Sequence, residues 1–152
     1  MQHAMVPPAV LLSDFLEGAG RAVLEEAGVP VPAAAGAETV YRGLLLKPLF
    51  SFAGKGIVFE PTQSQLEAIA PVDRAQFLVQ QRMHFVPTIA TPHGPTQAEI
   101  RILYLWPDGG RLTAVQSLVR LGRGQMMGVD HNRDQEWVGG SAAFFPAGRN
   151  RG

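Results

Sequence analysis

The chain has no cysteine among its 152 residues. That excludes a disulfide framework, thiolate-ligated zinc and a thiol nucleophile. No apolar run approaches the roughly 20 residues that a membrane-crossing helix needs. Neither sign of charge is in excess: thirteen basic and thirteen acidic residues cancel. No chain-wide field draws in a polyanion, so nucleic acid is not an expected partner. No G-x-S-x-G is present, and no G-x-G-x-x-G joins a strand to a helix, which disfavours a serine hydrolase and an open dinucleotide-binding layer. The four histidines, His3, His84, His93 and His131, lack metal-ligand spacing. No signal-peptide pattern opens the chain, and from this a cytoplasmic location is expected.

What is present fits one globular domain. The hydrophobic fraction is 46% and the charged fraction 17%, ordinary values for a soluble protein. Residues 1–8, opening MQHAM with a second methionine at Met5, read as an expression scar and tail. Residues 9–146 read as the domain, and 147–152 as a frayed polar end. Ser13 is placed to cap a helix with apolar positions Leu16, Ala19, Ala22 and Val23, ended by Gly28 and Pro30. A Pro/Ala/Gly connector follows, then TVYRGLLLK as a strand and GIVFE as its partner. Thr62 and Gln65 form a capping box for a short helix stopped by Pro71. QFLVQQRMHF, AEIRILYLW, LTAVQSLVRLG and WVGGSAAFF read as further strands, with PDGG as the tight turn between the middle pair. The expected class is α+β, mostly antiparallel sheets with flanking helices.

LLLKPLFSFAGKGIVFEPT holds the densest cluster of functional candidates. Lys47 closes a strand, and Lys55 sits between Gly54 and Gly56. Two ammonium groups and closely approaching glycine amides suit an anion such as a triphosphate. The loop is not a Walker A sequence, because Gly56 follows Lys55 where serine or threonine is required. A hairpin turn carrying two solvated lysines is the alternative. Further on, Glu99 and Arg101 stand two apart on one strand and so share a face. Arg120 lies on the next strand. Two arginines brought together need an anion between them; a surface Glu–Arg cross-strand pair is the other reading. Asp130 and Asn132 are oxygen donors of the kind magnesium accepts, or the side chains of an Asx-rich turn.

In their order, LLLKP, the loop SFAGKGI, a helix, FLVQQ, AEIR, and LVR ahead of WVGGS resemble the ATP-grasp family over Leu44–Ser141. The resemblance implies two α+β subdomains gripping Mg-ATP. It also implies a ligase that makes an acyl-phosphate from a small-molecule carboxylate and passes it to an amine, or to a thiol. By that resemblance Lys47 holds α- and β-phosphate oxygens, and Gly54, Lys55 and Gly56 close over the outer phosphates. Gln80 and Gln81 flank the adenine. Arg101 and Arg120 act as catalytic groups on the transferring phosphoryl group, Asp130 and Asn132 are magnesium ligands, and Glu99 is either a third magnesium ligand or a partner that orients Arg101. The family's usual metal set and final helix and strand are not matched. Either the chain is a compact or rearranged member, or a homo-oligomer, a partner chain or further segments of a longer chain complete the enzyme. The alternative function is a catalytically silent module that binds nucleotide or protein.

Overall fold

The computed structural model describes residues 6–52, 54–128 and 131–143. The chain divides into two compact units, Met1–His84 and Phe85–Gly152. Antiparallel sheets and short helices make it α+β. Among the described residues no helix is long and apolar enough to cross a membrane.

The first unit runs β1 (Ala9–Leu11), α1 (Leu12–Glu17), α2 (Ala19–Glu26), β2 (Leu44–Pro48), β3 (Val58–Phe59), α3 (Gln63–Glu67), a 3₁₀ helix (Pro71–Gln76) and β4 (Phe77–Gln81). Its sheet has the order β1-β4-β2-β3, antiparallel throughout. The single helix expected from Ser13 is instead two. Gly18, at φ 97°, ends α1 and opens α2, a left-handed turn that glycine adopts without a side-chain clash. Gly20 then lies so close to α1 that a Cβ would sit 2.7 Å from the Phe15 nitrogen. Ser13 is not the cap. Leu11 holds that position without a side-chain bond, while the Ser13 hydroxyl lies 3.3 Å from Asp14 Oδ1. Just ahead of β1 the carbonyl of Pro8 accepts from Gln81 N at 2.9 Å. Thr62 behaves as its spacing predicts: its hydroxyl accepts from Gln65 N at 3.2 Å and its own amide donates to Gln65 Oε1 at 2.9 Å.

Register explains the core. Leu46 lies opposite Val79 and Val58, and Val10 opposite Val79. These residues therefore share one face, and Leu44, two before Leu46 on β2, points the same way. On that face the buried Leu44, Leu46 and Val79 join Leu12, Phe15, Leu24, Val29, Tyr41 and Leu66 in a single cluster. Fully burying each such side chain contributes on the order of 2 kcal/mol. Phe15 and Tyr41 meet edge to face, with centroids 5.1 Å apart. The guanidinium of Arg21 lies 4.4 Å over the Phe15 ring and 5.1 Å over that of Tyr41. It donates to Phe15 O at 3.1 Å, to Pro32 O at 3.3 Å, and to Tyr41 Oη and Gln63 Oε1. One arginine thus ties the irregular connector between α2 and β2 to helices on either side of it.

The second unit is a three-stranded antiparallel sheet, β5 (Gln97–Leu105), β6 (Thr113–Gly122) and β7 (Gly139–Ala142), with β6 in the middle. Pro107–Gly110 makes the turn between β5 and β6. Gly109 stands at φ 70° and Gly110 N donates to Pro107 O at 2.9 Å. The ladder is continuous from Gln97 to Leu103 and shifts register between Leu103 and Tyr104. After β6 the chain folds around Asn132, 8% exposed. Its amide oxygen accepts from Arg123 N at 2.8 Å and Gly124 N at 2.9 Å. Its amide nitrogen donates to Met126 O and Gly128 O, both at 2.8 Å.

Candidate functional site

The nucleotide-binding candidates all belong to the first unit. Lys47 is an exposed residue of β2 directly opposite Leu78, and Gln80 lies opposite Leu45. Leu45 and Lys47 alternate with the core residues Leu44 and Leu46, so Lys47 and Gln80 share the sheet face turned away from the core. Gln81 pairs with Leu44 and has the core face instead. One strand therefore aims its two glutamines oppositely, and they do not form the two sides of one adenine slot. The β2–β3 loop carries Gly54 at φ 78° and Gly56 at φ 80°. These are left-handed conformations that explain why glycine flanks Lys55. Lys55 N donates to Phe52 O at 3.0 Å and Ile57 N to Gly54 O at 3.3 Å. Two of the loop's amides thus close its own turns. Phe50 and Phe52 are each 87% exposed.

The catalytic and metal candidates belong to the second unit. On the β5–β6 ladder Glu99 stands directly opposite Arg120, and Arg101 opposite Leu118. All of these occupy one face. The anion between the two arginines is Glu99 itself: its Oε1 binds Arg101 Nε and lies 3.6 Å from Arg120 Nη1. Arg120 also donates through Nη2 to Met127 O. Asn132 has both acceptor positions of its oxygen filled by backbone N–H groups. In this conformation it therefore organises a loop and has no lone pair left for magnesium. Asp130 lies outside the described residues. Among the described residues no group of three or more His, Asp or Glu side chains is arranged to hold a metal ion.

The β5 surface was not singled out by its sequence. Pairing puts Ala98, Ile100, Ile102 and Tyr104 on one face with Val119 and Leu121 of β6. On that face Ile100 is 61% and Ile102 47% exposed. A hollow there is lined by Ile102, Tyr104, Ala114, Val115, Gln116 and Ser117. The outer edge of β5 is paired with no other strand among the described residues. The signal in the sequence was the run I-R-I-L-Y-L-W itself, whose apolar residues outnumber those a single buried face can take. Comparison with protein-family models, with curated proteins and with solved structures found no match to this chain.

Proposed function

We propose that the chain is a protein-interaction module whose docking surface is the β5 edge of the second unit and the apolar face beside it. The observation that carries this reading is the nine-residue strand β5, which exposes Ile100, Ile102, Tyr104 and Leu105 and, among the described residues, is paired along its outer edge with no strand beyond the Ile89 bridge to Thr96 just ahead of it. Unpaired edge amides and carbonyls beside apolar side chains are the usual template for strand addition. Its test is a photo-reactive phenylalanine analogue at Ile102 in the full chain, expressed in its native host. A dominant protein adduct that disappears when Ile100→Lys is added supports the reading. No adduct, or an adduct indifferent to Ile100→Lys, overturns it.

A second reading, Mg-ATP binding in the manner of an ATP-grasp ligase, is favoured by one observation. Lys47 and Lys55 are exposed and have no ion-pair partner among the described residues, which leaves both ammonium groups available to an anion. The arginines and Asn132 already have internal partners, so nucleotide binding does not bring phosphoryl transfer with it. Calorimetric titration with Mg-ATP, repeated on Lys47→Met, decides this reading: binding that is lost with the charge supports it, and an absence of heat in the parent removes it.

A further inference from the structure

Resting on the docking surface just proposed, we infer that its occupant is a second copy of this chain. The two β5 strands pair antiparallel about a two-fold axis through Ile100, giving a continuous six-stranded sheet. An axis normal to the sheet keeps each side chain on its own face, so a residue can meet only residues of its own parity on the other copy. Axes through Glu99, Ile100, Arg101 or Ile102 are the candidates near the middle of the strand. An axis through Glu99 sets that carboxylate against its own copy, and one through Arg101 opposes two guanidinium groups. The axis through Ile102 sets Glu99 and Arg101 against leucines. Only the axis through Ile100 places Glu99 opposite the partner's Arg101 and Arg101 opposite the partner's Glu99, two complementary pairs from one operation.

The strand's regularity selects the same centre. The uninterrupted ladder runs from Gln97 to Leu103 before the register shift, and Ile100 is its midpoint. Pro95 lies just before the strand and Pro107 just after it. Neither falls within Gln97–Leu103, so every residue there keeps its N–H. On the other face, Ile100 meets the partner's Ile100 and Ala98 meets the partner's Ile102. These contacts take Ile100 and Ile102, both exposed in the single copy, out of water. Charged or proline residues that blunt exposed edges are missing from the outer half of β5, where Ile102 to Trp106 run without a charge.

The absence of cysteine makes the register directly measurable, because any disulfide in a single-cysteine variant joins two copies. At the axis, facing Cα atoms of an antiparallel pair lie about 4.5 or 5.5 Å apart, inside the range a disulfide spans. At Ile102 the two copies are about 14 Å apart along the strands, which is out of reach. The experiment uses the full chain at about 100 µM, where a dimer with a Kd near 1 µM is largely formed. Sedimentation of the parent should give twice the chain mass, and Ile100→Lys the single mass with unchanged circular dichroism. Arg101→Glu should weaken association about tenfold, by setting carboxylate against carboxylate twice. Ile100→Cys should cross-link under copper–phenanthroline oxidation, and Ile102→Cys should not.

A monomeric parent, a dimer that survives Ile100→Lys, or cross-linking at Ile102 in place of Ile100 overturns the inference. The adduct formed at Ile102 by the photo-reactive analogue separates the two claims. An adduct with a different protein, together with a monomeric parent, leaves the docking surface standing and removes the self-association. No adduct at all removes both.

Discussion

The two units are built from strands of similar apolar content but handle that content differently. In the first, nine large apolar side chains are gathered into one cluster beneath helices. In the second, the apolar residues of β5 from Ile100 to Leu105 are exposed and Leu118, Val119 and Leu121 of β6 are half-buried, while among the described residues its buried side chains are the polar Thr96 and Asn132. Thr96 donates to Gly122 O at 2.9 Å, and Asn132 holds four backbone groups. The first unit is held by burial and the second by hydrogen bonds around a hairpin. A three-stranded sheet that leaves Ile100, Ile102 and Tyr104 exposed buries little apolar surface and is marginal by itself, and this is the physical ground for giving the second unit a partner.

The sharpest break between the units should come from Phe15→Ala. Removing a fully buried ring costs about 3–5 kcal/mol, and the loss should appear in the helical circular dichroism of thermal melts. If the second unit melted in step with the first, the contrast between them would fail. Asn132→Ala should be next, at about 2–4 kcal/mol, because four backbone groups lose their partner. Asn132→Asp should rescue little, since a carboxylate cannot donate to Met126 O and Gly128 O. The loss is read in the emission of Trp137, five residues on. Ile102→Ser should change the stability of the single copy by less than about 0.5 kcal/mol, as expected for a surface position, while weakening association; a loss above 2 kcal/mol would mean that the second unit has a core after all. Smallest is Lys47→Met, which should leave the melting temperature within about 1 °C, so that any change in nucleotide affinity is free of a folding effect.

Legibility from sequence followed the range of the interactions. The Thr62 capping box and the Pro107–Gly110 turn involve residues three apart, and both were readable. The limits of β5 and β6 are legible to within one residue, because alternation and turn chemistry agree there. β1 was not readable: three residues, AVL, become a strand only because Ala9 meets Gln80. Nor was Arg21, whose partners lie from 6 to 42 residues away. The break at Gly18 was hidden because apolar positions on both sides keep helical spacing. Among the site candidates, the shared face of Glu99 and Arg101 follows from strand period and was readable. That Glu99 itself neutralises both arginines depends on register. For Asn132 the residue type allowed metal or loop, and only the surrounding amides distinguish the two.

The distribution of chromophores between the units has a practical outcome. Both tryptophans, Trp106 and Trp137, belong to the second unit, and all the described α-helices belong to the first. Far-ultraviolet ellipticity at 222 nm and indole fluorescence therefore watch different halves of the same unlabelled molecule. Two melting curves that superimpose would mean that the halves unfold as one cooperative system. Curves that separate would give the stability of each half in a single sample. Dilution would then shift only the fluorescence curve, because only the tryptophan-bearing half would carry the concentration-dependent contact.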